Sequence, residues 1–231
     1  MDDARHLEPL IRRPAHWLHA AQLALVVSIE DPAQRNRVQL RLIACDDTAQ
    51  QDAAIWARVV GAFAGRDRGA FLMPDVGDEV LVVFQNGDPS LPLVLGGLWN
   101  GDSTAPTALA PDNRLKVIRS KNGVTLTLDD STGRERFRVE TPGGQSLTLS
   151  DGPGAVRIED SNGNTVEMKT TGIEIIATAR VSISAAQVQV TAGTVSVDSA
   201  VATFSGVVQC ATLITNAVVS SSYTPGAGNV W

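Results

Sequence analysis

The chain has 231 residues, room for one or two domains, and is 43% hydrophobic but only 4% aromatic, with 20 glycines. Val, Ile, Thr, Ser and Ala carry the apolar and small-residue load, which suits regular β-structure better than a globule filled by large aromatics. A formal net charge of −6 offers no basic stripe for nucleic acid or an anionic membrane, so neither is expected as a partner.

The start, Met1-Asp2-Asp3, is the opposite of a basic signal-peptide start. No apolar run reaches the ~18 residues of a membrane span. The protein is therefore expected to be made and folded in the bacterial cytoplasm and to leave without a cleaved signal. Residues 1–20 read as an N-terminal arm carrying Arg12, Arg13 and Trp17. His16 and His19 share one helix face, but no Cys or carboxylate stands near them. Packing or contact with another protein is preferred there over a metal site.

Residues 21–100 hold five apolar or alternating runs, at 23–29, 37–43, 55–60, 79–85 and 91–98. Turn residues separate them: Asp31-Pro32, the stretch 61–69, the stretch 75–78, and Asn86-Gly87-Asp88-Pro89. Five short strands in that span predict a small closed barrel of the OB type. Asn86-Gly87 supplies the positive φ of a two-residue hairpin loop. Residues 101–113 lose all periodicity and read as a linker holding Pro106 and Pro111.

From 114 to 231 the chain becomes repetitive. Segments 120–130, 141–151 and 160–170 align on Gly123, Gly144 and Gly163, a period of 21 and then 19 residues, each unit holding two alternating strands. Asp160-Ser-Asn-Gly-Asn164 resembles a calcium loop, but Thr165 and Thr171 stand where an EF-hand needs Gly and Glu, so a hairpin turn is expected. Asp129, Asp130 and Asp151 sit at unit ends and read as solvated turn residues. A glycosidase carboxylate pair would require an aromatic-lined cleft that this region lacks.

Beyond Gly172 the period shortens to seven: Val181 and Ile183, Val188 and Val190, Val195 and Val197. A coiled coil spaces its apolar positions three and four apart. Pairs two apart instead put both side chains on one face of a strand. Such strands on a lone chain would leave their edges and one apolar face uncovered. A single-chain solenoid needs about 20 or more residues per coil, so three chains, each giving one side of a prism, are the preferred solution. Val181, Ile183, Val188, Val190, Val195 and Val197 are the expected trimer core. Cys45 and Cys210 form no zinc pattern; they are one long-range disulfide or, preferably, two buried thiols.

The segment Ala24-Leu-Val-Val-Ser-Ile-Glu-Asp-Pro-Ala-Gln-Arg-Asn-Arg-Val-Gln-Leu-Arg-Leu42 resembles the opening of the barrel in the phage baseplate assembly V and type VI secretion spike family. Residues 55–60, 65–84, 86–89 and 92–100 continue the same pattern, so the resemblance covers about residues 23–100. One departure is Asn36, where the family carries Gly; Asn also tolerates the left-handed conformation, so the turn should survive.

The resemblance implies an all-β protein: an N-terminal OB-fold barrel followed by a trimeric, intertwined β-helix or β-prism needle. It implies a non-enzymatic spike at the centre of a contractile-tail baseplate, in a phage tail or an extracellular phage-tail-like particle, with no cofactor, no metal and no catalytic residues. The target membrane would be touched only mechanically. Only about 20 residues precede the barrel and the linker is short, so a separate trimeric hub protein and no built-in lysozyme are expected. The three His all lie in the arm, so an iron-binding tip is not expected and a PAAR-repeat tip protein is. Tyr223 and Trp231 are candidates for contact with that tip protein, and Arg12, Arg13 and Trp17 for contact with the hub. The alternatives are a trimeric tail fibre or adhesin for host glycan and, behind it, a spike-borne hydrolase.

Overall fold

A computed structural model describes residues 20–45, 55–152 and 155–222. The chain divides into two units at Arg180/Val181. Among the described residues, the first unit holds every strand. β1 (Gln22–Ser28), β2 (Arg37–Leu42), β3 (Ile55–Val59), β6 (Glu79–Phe84) and β7 (Pro92–Gly97) close a barrel in the order β1-β2-β3-β7-β6. All its pairs are antiparallel except the parallel β3/β7 pair. These five strands fall within a residue or two of the five expected runs. Alternation explains the core: Ala24 and Val26, Val38 and Leu40, Ala57, Val80 and Val82, and Val94 all point inward and are buried.

The β1–β2 turn is held by one carboxylate. Asp31 accepts hydrogen bonds from the backbone N–H of Ala33 (3.0 Å) and Arg35 (2.8 Å) and from the Arg37 guanidinium at 2.7 and 3.0 Å. Asn36 has φ 54°, the left-handed geometry expected where the family has Gly. At the β6–β7 connection, Asn86 and Gly87 do have positive φ, 54° and 86°. They do not form a two-residue hairpin loop, however. They lie in a 3-10 turn (Gln85–Gly87), and the loop closes only where the Gln85 N–H donates to the Leu91 carbonyl at 3.0 Å. Pro92 begins β7 and supplies no N–H, so the hydrogen-bonded pair that closes the loop forms one residue earlier. The expected separator at 61–69 contains a small arm of two short strands, β4 (Ala64–Gly65) and β5 (Arg68–Gly69).

No strand lies between Gly97 and Leu115. Then β8 (Leu115–Arg119), β9 (Thr125–Asp129), β10 (Arg136–Glu140), β11 (Ser146–Ser150), β12 (Val156–Glu159), β13 (Thr165–Lys169) and β14 (Gly172–Ile176) form a seven-stranded antiparallel meander in chain order. The repeat is visible in its turns. Gly123, Gly144 and Gly163 each donate to the carbonyl three residues back, Ser120, Thr141 and Asp160. All three glycines have positive φ, and at Gly144 (φ 87°) a Cβ would also stand 3.2 Å from Ser161. Asp160 is the hairpin-turn residue expected, its carboxylate accepting from Asn162 and Asn164.

Among the described residues of the second unit, 181–222, the single chain forms no strand. A seven-residue period leaves no room for a segment to fold back and pair with its own chain, so the alternating pairs have no ladder within one copy. Cys210, expected as a buried thiol, is free and exposed in the single chain.

Candidate trimer interface

The meander sorts most of its side chains by face, with Lys116 on the apolar side and Leu115, Val117 and Ile176 on the polar side as the exceptions. Cross-strand register aligns Ile118, Leu126, Val139, Leu147, Ile158, Val166 and Ile175 into one apolar row. A second row on the same face runs Leu128, Phe137, Leu149, Val156, Met168 and Ile173, with Lys116 at its first position. Both rows follow from period-two alternation in every strand. Seven of the thirteen apolar residues in these rows are exposed, Ile118 at 56%, Ile158 at 50% and Ile173 at 69% among them, and the other six are half-buried.

The opposite face is polar and internally neutralised. Arg157 pairs with Glu159 at 2.7 Å and with Glu167 at 3.5 Å, and Lys169 pairs with Glu167 at 3.1 Å and Glu174 at 2.8 Å. The Arg157 hydrogen bond, aided by Ser146, holds the Glu159 carboxyl below its ordinary range, while Glu159 raises Arg157 in turn. Lys169 likewise lowers Glu174. Asp129 corrects an expectation. It is not a solvated turn residue but a buried one, at the end of β9 between Arg114 and Arg136, each at 3.2 Å. Its pKa is lowered, first by the Ser131 hydroxyl and then by the two arginines, while burial opposes the shift. Asp130 and Asp151 are exposed, as expected.

The six residues expected as trimer core are all exposed in the single chain, from Val181 at 59% to Val197 at 75%. Arg12, Arg13, Trp17, Tyr223 and Trp231 lie outside the described residues. Sequence reading passed over the two rows of the meander. The alternation Val124-Thr-Leu-Thr-Leu128 was their signal, but only cross-strand register shows that every unit contributes to the same face. Among the described residues no group of three His, Cys, Asp or Glu could hold a metal, and no helix is long and apolar enough to cross a membrane.

Comparison with known proteins bears on both halves. Residues 22–99 match the model of the type VI secretion system/phage-baseplate injector OB domain. Residues 136–203 match the phage baseplate V C-terminal trimerisation domain. The chain belongs to this spike family. Its OB-domain match contains the whole barrel, and its trimerisation match begins at β10 and runs through all six of the exposed core candidates.

Relatives include the type VI secretion system spike protein VgrG1c of Pseudomonas aeruginosa, 26% identical over 65% of this chain and 23% of its own length. VgrG1b of the same organism is 28% identical over 46% of this chain and 15% of its own, and VgrG3 of Vibrio cholerae 33% over 39% and 9%. The chain thus spans less than a quarter of the length of these relatives. They are named as type VI secretion system spike proteins, which does not favour the adhesin alternative, and the trimerisation-domain match supports a homotrimer.

Proposed function

We propose that three copies form the central spike of a contractile injection baseplate. Three barrels make a collar against a separate hub at the end of the tube. The C-terminal halves wind together into a needle that transmits the thrust of sheath contraction to the target envelope. The observation that carries this reading is the contrast within one chain: the barrel seals its own core, while the meander's two apolar rows are left half-buried to exposed and the six core candidates stay exposed. Three such sheets, apolar faces inward, give a dry axis and send their charged faces to water. Each Val, Leu or Ile so buried is worth ~1.5–3 kcal/mol. Multiplied along the shaft, that makes dissociation inseparable from unfolding.

In this assembly Val181, Ile183, Val188, Val190, Val195 and Val197 line the axis of the needle. Tyr223 and Trp231 meet a PAAR-repeat tip protein, and Arg12, Arg13 and Trp17 meet the hub. The particle is a phage tail or an extracellular phage-tail-like assembly, and the envelope is touched only mechanically. Light scattering on the purified chain should give three chains per particle, resistant to SDS; a stable monomer would overturn the reading. Electron microscopy of assembled particles should then place the protein at the centre of the baseplate.

A further inference from the structure

The barrel carries a feature that a collar does not need for its own stability. Between the β1–β2 turn and the β4–β5 arm lies a groove of about 620 Å³ lined by Arg35, Arg58 and Arg68 together with Phe63 and Phe71. Its only acidic lining residue is Asp67, so three guanidinium groups face one carboxylate in a chain whose net charge is −6.

The neighbouring Arg37 shows what a structural arginine looks like on this edge. It is neutralised by Asp31 at 2.7 Å and lies 5.7 Å from the Trp56 ring. Arg35, Arg58 and Arg68 have no ion-pair partner among the described residues. Phe63 and Phe71 are 62% and 71% exposed although the barrel core beside them is sealed. Two exposed aromatics sharing one groove with three unneutralised arginines combine the apolar anchors and the charge that binding surfaces use.

We propose that this groove seats an acidic peptide segment with an apolar anchor, supplied by the protein that receives the barrel. The identity of that partner as the hub rests on the spike reading above; the groove chemistry does not. Carboxylates would meet the arginines, and a leucine or aromatic side chain would enter between Phe63 and Phe71. A nucleic acid fits less well. Its backbone needs a continuous basic track, whereas here three arginines line one groove of an acidic protein.

The test uses the full chain and a short fluorescent peptide of Asp and Glu around one Leu and one Phe, with an all-acidic peptide and oligothymidylate as controls. The first peptide should bind, more weakly as salt rises, and better than either control. Reversing charge with Arg58→Glu plus Arg68→Glu should weaken binding about tenfold or more. Phe63→Ser plus Phe71→Ser should remove the advantage of the first peptide over the all-acidic one. Circular dichroism keeps the variants honest as folded barrels. No binding by the wild-type chain, equal binding by the reversed variant, or tighter binding of oligothymidylate overturns the groove. Light scattering on the same samples separates the two ideas: three chains per particle without peptide binding removes the groove alone, and peptide binding by a monomer removes the spike alone.

Discussion

The barrel and the meander are built from the same kind of strand, four to seven residues rich in Val, Leu and Ile, yet they end in opposite conditions. In the barrel the sheet closes on itself, so Ala24, Val38, Ala57, Val80, Val82 and Val94 reach zero exposure within one chain. In the meander the sheet stays open and single-layered, and its apolar rows stay half in water. The difference is closure, not composition. A closed sheet supplies its own second layer, whereas an open one must borrow it. Where an exposed apolar face extends over seven strands, the missing layer is the natural place for other copies of the chain.

The largest effect should come from placing a charge where the borrowed layer belongs. Leu147 lies mid-row, between Val139 and Ile158. Leu147→Asp would put three carboxylates at the axis of a trimer, and trimer yield by light scattering should fall by an order of magnitude or more. The barrel, which owes nothing to that face, should keep its own melting transition. The neighbouring Thr148→Asp points to the other face, opposite Arg138 and Arg157, and should leave the trimer intact. Equal behaviour of the two variants would break the comparison.

A core deletion in the barrel should do the reverse. Leu40 is 2% exposed, and Leu40→Ala should cost about 2–5 kcal/mol of barrel stability. Denaturant melts should show the loss in the barrel transition while the oligomeric state stays unchanged.

Acid should act on both regions through different carboxylates. Arg37, helped by three backbone N–H groups, holds Asp31 in the barrel well below the usual carboxylate range, against the opposing effect of its own desolvation. Asn164 and Asn162 hold Asp160 in the meander at about 2, down from 3.8. Both folded values are depressed, so each contribution is complete above the unfolded pKa near 4 and is lost as pH falls below it. Thermal melts should therefore decline from about pH 4 downward. Asp31→Asn should start lower at neutral pH and show a flatter acid limb in the barrel transition alone.

How much of this was legible in the sequence follows from how local each feature is. The five barrel strands and the glycine turns at 123, 144 and 163 are set by alternation and by residues that tolerate positive φ, both readable within a few positions. The arm at 64–69 was not, because two-residue strands carry no period. Asp129 was misread because its two arginines lie 15 and 7 residues away in sequence. The apolar rows needed register across seven strands, and the groove needed the β1–β2 turn and the arm to come together in space. Neither can be seen from one segment at a time. The valines at 181–197 were legible as a pattern, but one chain cannot show what they pack against.

The smallest effect sharpens the comparison most, since it concerns the joint between the two regions. Lys121, in the β8–β9 turn, reaches Asp75 beside the barrel at 3.1 Å, with side chains 71% and 45% exposed. An ion pair this wet is screened by water and salt and must also fix a long flexible side chain. Lys121→Gln should therefore shift either melting transition by no more than about 1–2 °C. If barrel and meander melt separately in the wild type, the variant should leave both where they were. If they melt as one and the variant splits them, the pair is a coupling element. The barrel would then draw stability from the trimer after all, and the division between a self-sufficient head and a dependent shaft would have to be redrawn at Asp75 rather than in the 98–114 segment.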